Sequence, residues 1–157
     1  FNMAKRIPGK EEFHETLRYF RVQLAKLGVD VRLNQRADAA MLASEKFDEV
    51  IIATGVTPRD PKIPGQDAPS VLSYIDVLAG NAAVGPRVAI IGAGGIGFDV
   101  AEFLAHEHST TIDPPAWYRQ WGIDPTLSTR GGLAKAAPPP PARQITLLQR
   151  SDGKLGD

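Results

Sequence analysis

The sequence predicts an α/β chain whose parallel strands belong to two lobes, neither carrying a full set of strands. Three observations carry that expectation. The apolar run at residues 88–91 stops at a glycine cluster and passes directly into a helical pattern. An earlier run at residues 47–53 ends in the near-continuous apolar character of a buried parallel strand. A third strand pattern, residues 144–149, returns only after a long intervening stretch, so an insertion separates two strands of one sheet.

Taken in order, residues 1–8 have no regular period and end at a Pro8-Gly9 break. From Lys10 to Leu27 the pattern is helical, with Phe13, Leu17, Phe20, Leu24 and Leu27 on one stripe. Glu11 and Glu12 suit the positive end of that helix, Lys26 suits the other end, and Gly28 stops it. His14 lies off the stripe and reads as a solvated surface residue. Val29, Val31 and Leu33 alternate with polar residues as a short strand does. Asp38 can cap a brief helix over residues 39–44.

The run at residues 47–53 closes on Ala53-Thr54-Gly55. Small residues at the carboxyl end of a parallel strand lie where open α/β sheets receive ligands, although, taken alone, a plain strand end and turn is the better explanation of them. Pro58, Pro61, Pro64 and Pro69 then mark a crossover between lobes. Ser73 suits the cap of a short helix that reaches Leu78 and ends at Gly80, and residues 81–86 form a turn.

The organising stretch is residues 87–107, where a strand meets Gly92-Ala93-Gly94-Gly95-Ile96-Gly97 and then a helix. A glycine hexapeptide alone is weak evidence, but this strand-to-helix context makes it a Rossmann-like dinucleotide fingerprint. Gly92 permits the tight turn, Gly94 lets backbone approach a pyrophosphate, and Gly97 lets helix pack close to strand. The helix N-terminus then offers N–H groups and positive dipole to the phosphates. Ile96, Val100, Phe103 and Leu104 form its apolar stripe. Asp99 has two readings, a carboxylate that faces a bound cofactor or one stabilised by the helix dipole. His106 and His108 stand two apart and share no helix face, which argues against a metal site.

Periodicity fails over residues 109–143, which Pro114-Pro115, Gly122, Asp124-Pro125, Gly131-Gly132 and the proline run at 138–141 punctuate. Trp117 and Trp121 stand four apart, close enough to pack in one helical turn. The proline run reads as a stiff extended connector. A dinucleotide fold places an acid on the adenosine ribose about 20 residues beyond the glycines. Here the second strand comes much later and ends in Gln149-Arg150 instead. An acid repels a ribose 2′-phosphate and an arginine grips it, so NADPH is expected over NADH, with Lys154 as a possible helper.

Composition narrows the partners. Eighteen basic residues balance eighteen acidic ones, so charge gives no support to nucleic acid or an anionic membrane as partner. No apolar run approaches the ~18 residues of a membrane span, and a cytoplasmic location is expected. Cysteine is absent, which removes disulfides, thiolate nucleophiles and Cys-held metals from this stretch. The chain opens on Phe1, and is expected to be a piece of a longer product whose exposed sheet edges make it poorly stable in isolation.

Together, FNMAKRIPGKEEFHETLRYFR, FDEVIIATGVTPRDPKIPG, VLSYIDVL, VAIIGAGGIGFDVAEFL, WGIDP and ITLLQR resemble the bacterial NADPH-dependent 2,4-dienoyl-CoA reductases. These are old-yellow-enzyme-related iron–sulfur flavoproteins of the trimethylamine-dehydrogenase-like group. The resemblance implies that residues 1–80 are the trailing part of an FAD lobe and residues 81–157 the first part of an NADPH lobe, with an insertion at about 109–143. It implies that Ala53, Thr54 and Gly55 contact flavin, that Asp99 lies near the flavin–nicotinamide contact, and that Arg150 reads the 2′-phosphate. FMN on a barrel and a [4Fe–4S] centre belong, by resemblance, to parts outside this sequence, as do the catalytic residues. The expected partners are the dinucleotides and the rest of the same polypeptide. A lobe that binds an adenine nucleotide without catalysis, or an interdomain scaffold, is the alternative.

Overall fold

A computed structural model describes residues 2–150 and 152–154; the expected lobe limits at Phe1 and Asp157 lie outside them. The chain divides into two compact units, one comprising Phe1–Tyr19 with Leu72–Asp157 and the other Phe20–Val71. No helix among the described residues is long and apolar enough to cross a membrane.

The first unit is organised by β1 (Arg87–Ile91) and β2 (Gln144–Leu148), which pair in parallel from Arg87↔Gln144 to Ile91↔Leu148. Side chains alternate across a strand, so Val88, Ile90, Ile145 and Leu147 point to one face and are half-buried. Ala89, Ile91, Thr146 and Leu148 lie on the other face and are exposed. The covered face receives α3 (Tyr74–Ala79) and α4 (Gly95–Ala105), whose Val77, Leu78, Val100 and Leu104 are buried together. The expected caps of α3 form: the Ser73 hydroxyl accepts from Asp76 N–H, and Gly80 closes the helix in the left-handed conformation. At the far end of α4, Arg143 donates to the Leu104 carbonyl at 3.1 Å, satisfying a group the helix itself leaves unpaired.

Of the α4 stripe read from sequence, Val100 and Leu104 are buried and Phe103 packs against the core, whereas Ile96 is 55% exposed. Ile96 stands in the first turn of α4, above the level where the sheet and α3 cover the helix.

Ile7 is the most deeply buried residue of the core, at 2% exposure. It follows a 3₁₀ turn at Ala4–Arg6 and packs with Val77, Leu78, Val100 and Leu104. Residues that read as irregular from sequence thus strap the two helices together. We expect Ile7→Ala to cost about 2–5 kcal/mol, measurable by denaturant unfolding, because the cavity cannot collapse between packed helices. A loss below about 1 kcal/mol would show that the strap is not part of the core.

α1 (Phe13–Lys26) forms where the periodicity places it. Its stripe is covered only at the start: Phe13 and Leu17 are half-buried, while Phe20, Leu24 and Leu27 are exposed.

In the second unit, α2 (Ala39–Glu45) begins as expected at Asp38, whose carboxylate accepts from Met41 N–H at 2.9 Å. The strands expected at residues 29–33 and 47–53 do not form; neither segment carries a ladder, and Leu33 stands in a turn. Ile51 and Ile52 are 89% and 83% exposed. A buried parallel strand is made by neighbours on both edges and helices on both faces, and this unit supplies neither to these segments.

Residues 109–143 contain α5 (Pro114–Trp121), a helix that the lost periodicity did not announce. Asp113 caps it by accepting from Ala116 N–H, and proline begins it, where a missing N–H costs nothing. Trp117 and Trp121 pack within it at 6.1 Å between ring centroids. The following loop is organised by Asp124, which accepts from the Thr126, Ser128 and Thr129 hydroxyls and from Thr126 and Thr129 N–H. Those donors, the Thr126 and Ser128 hydroxyls first, hold its carboxyl well below the ordinary carboxylate range. A depressed pKa stabilises the fold above the ordinary value near pH 4 and loses that stabilisation as pH falls below it. The tryptophan fluorescence of this segment should therefore change below about pH 4, and Asp124→Asn should flatten that acid transition. An unchanged transition in the variant would remove Asp124 from the role.

Candidate dinucleotide site

The site is built at the carboxyl end of β1. Gly92 N–H donates to the Leu148 carbonyl at 2.8 Å, so the loop leaves the sheet only after one further rung with β2. Gly92 has φ of +113°, a region that glycine enters without a Cβ penalty. Ala93 is buried beneath the turn. Gly94 then caps α4, and Phe98 N–H donates back to its carbonyl at 3.0 Å as the first helical rung.

Gly97 is the contact point between helix and loop. A Cβ there would lie 1.9 Å from the Gly92 carbonyl oxygen and 3.0 Å from its carbon. Around Gly92, Gly94 and Gly95 the opposite holds, and a Cβ would meet nothing within 4 Å. Gly94 provides no side-chain cap, so side chain does not cover the first N–H groups of α4. The loop is therefore tight where backbone meets backbone and open where helix N–H groups and dipole face outward. That shape suits a pyrophosphate, which needs close backbone approach and accepts from those donors.

The second strand brings Arg150 to the same edge. Leu148 pairs with Ile91, and Arg150 follows two residues beyond the end of β2. Its side chain is exposed, as is that of Lys154. The Gln149 amide donates to the Gly153 carbonyl at 3.0 Å and folds the segment after β2 back on itself. The Arg150 guanidinium carries the fork of donors that a phosphate can accept.

Asp99, in the second turn of α4, is engaged. Lys10 Nζ donates to both of its carboxylate oxygens, at 2.6 and 2.7 Å, and both side chains are partly exposed. Lys10 is a site residue that the sequence did not single out; within Pro8-Gly9-Lys10 it reads only as the start of a helix. The neighbouring Glu11 accepts from the Thr111 hydroxyl at 2.9 Å and from Gly9 N–H at 3.0 Å. Burial works to raise the Glu11 carboxyl, but hydrogen bonds from Ser109, Thr111 and backbone outweigh it and hold it below its ordinary value.

Ala53, Thr54 and Gly55 lie exposed in the second unit, not at a strand end, and Gly55 has a φ of +80°. Nothing lies within 4 Å of a Cβ built on Gly55. These residues alone close no cradle for a flavin.

A family model for pyridine nucleotide-disulphide oxidoreductases matches residues 21–150. Bilirubin reductase from Mediterraneibacter gnavus is 38% identical over 104 residues, 66% of this chain and 16% of that protein. A metal reductase from Desulforamulus reducens is 33% identical over 115 residues, 71% of this chain and 17% of that protein. Among solved structures, a 2-naphthoyl-CoA reductase complex superposes with a TM-score of 0.60 at 36% identity, covering 66% of this chain and 16% of that one. The chain thus spans about one sixth of the length of these relatives. Strand, glycine turn, helix and parallel second strand are what such a match requires, and the chain belongs to the pyridine nucleotide-disulphide oxidoreductase family.

Proposed function

We propose that this chain is the segment of an NADPH-dependent flavoprotein reductase that positions NADPH for hydride transfer to FAD. The observation that carries this is the open backbone cradle at Gly94-Gly95, with Arg150 on the adjoining strand end. When bound, the nicotinamide cofactor supplies the hydride. The chain's residues supply placement: α4 N–H groups hold the pyrophosphate, Gly97 fixes the loop against the helix, and Arg150 selects the phosphorylated ribose. In this reading residues 1–80 complete an FAD lobe, with Ala53, Thr54 and Gly55 towards the flavin, and residues 81–157 begin the NADPH lobe.

The relatives support an input role. They are named for acceptors as different as bilirubin, metals and 2-naphthoyl-CoA, yet they share this stretch. A stretch kept across such acceptors serves what they have in common, the entry of electrons. The acceptor we propose is a 2,4-dienoyl-CoA thioester, reached through a [4Fe–4S] centre and FMN held elsewhere in the polypeptide, in the cytoplasm. Calorimetric titration of the full-length protein with NADPH tests the site. Saturable binding at one equivalent is expected, and an absence of binding would reduce the glycine turn to a structural element.

A further inference from the structure

We infer that Lys10 is a positioning residue for the pyrophosphate, acting by cancelling the charge of Asp99. This rests on the dinucleotide reading above and adds to it a residue outside the fingerprint.

Asp99 follows Gly95 by four residues, so it stands on the same side of α4 one turn below the opening of the cradle. Those four residues span about 6 Å of axial rise. A carboxylate so placed has two effects of opposite sign. From the second turn it answers the positive end of the dipole only weakly, because that stabilisation fades beyond the first turn. It also repels any anion that the same end is to receive. Lys10 removes the second effect: its ammonium takes both carboxylate oxygens at 2.6 and 2.7 Å, and the pair carries no net charge towards the cradle. The ammonium arrives from the strap that Ile7 anchors in the core, 89 positions earlier in the chain, so its placement is set by packing. By contrast, Arg18–Glu15 and Arg32–Asp30 join side chains that are near neighbours in sequence.

In the full-length protein, Lys10→Met leaves Asp99 charged and alone, and weakens NADPH and NADH alike, by roughly 3- to 30-fold, the range of one unit charge across about a helical turn at a screened surface. Asp99→Asn leaves Lys10 unpaired and tightens both dinucleotides. The double variant returns to within about twofold of the wild type. Because the repulsion acts through solvent, the Lys10→Met deficit shrinks between low and 0.5 M salt.

Calorimetric titration with NADPH and NADH at two salt concentrations reads all four proteins, with thermal unfolding in parallel. A pair that merely bolts the strap to α4 would instead make every variant bind worse, Asp99→Asn included, and would lower the melting temperature of each. That outcome, or a Lys10→Met protein that binds like the wild type, overturns the inference. Wild-type protein that binds neither dinucleotide would instead overturn the reading on which it rests.

Discussion

In the full-length protein, Arg150→Ala should weaken NADPH binding by roughly 10- to 150-fold while NADH affinity stays within about twofold. The basis is the removal of one charge-assisted contact, worth about 1.5–3 kcal/mol, that only the 2′-phosphate can make. Arg150 is exposed two residues beyond the end of β2, where Gln149-Arg150 stands in place of the acid that would favour a free 2′-hydroxyl. Lys154 lies further along the same segment, so Lys154→Ala should cost less, as an exposed ammonium without a fork of donors. Titration of each variant with both cofactors separates the roles. Equal losses for NADPH and NADH would take the phosphate-reading role away from Arg150.

The second large effect is a contrast between two glycines of one motif. Gly97→Ala puts a Cβ 1.9 Å from the Gly92 carbonyl oxygen, a backbone atom tied into the turn. Alanine would gain about 1 kcal/mol of helix propensity over glycine, but the overlap forces α4 away from the loop. We expect a net loss of about 3 kcal/mol or more, at the upper end of overpacking costs, because no flexible side chain can yield. Gly94→Ala is different in kind. Its φ of −87° suits any residue, and its Cβ would meet nothing within 4 Å. Stability should change by less than about 1 kcal/mol, while dinucleotide affinity falls at least about tenfold as the methyl enters the pyrophosphate's approach. Denaturant unfolding and cofactor titration of both variants test the pair. A Gly94→Ala protein with undiminished affinity would mean that no phosphate lies against that backbone.

What was legible in the sequence follows from how local each feature is. The caps at Asp38 and Ser73, the Gly80 stop and the strand–turn–helix at Gly92–Gly97 depend on neighbours a few residues away, and they form as read. The Asp113-Pro114 start of α5 was equally local, but the surrounding glycines and prolines made it look like loop punctuation. The segments at residues 29–33 and 47–53 failed for the opposite reason. Alternation and apolar runs describe what a strand buries, whereas a ladder also needs partner strands, and these segments find none within the described residues. Ile7 and Lys10 were illegible because their partners, in α3 and α4, lie tens of residues away in sequence. No window-based periodicity reaches them.

The role proposed for this chain is the delivery of NADPH to a flavin. Anaerobic titration of the full-length protein with NADPH, following the visible absorbance of its bound flavin, tests that role most directly. NADPH is expected to bleach the flavin at concentrations far below those of NADH that achieve the same, with the preference lost in Arg150→Ala. Saturable NADPH binding that leaves the flavin oxidised would contradict that role, and would make the lobe a structural nucleotide holder.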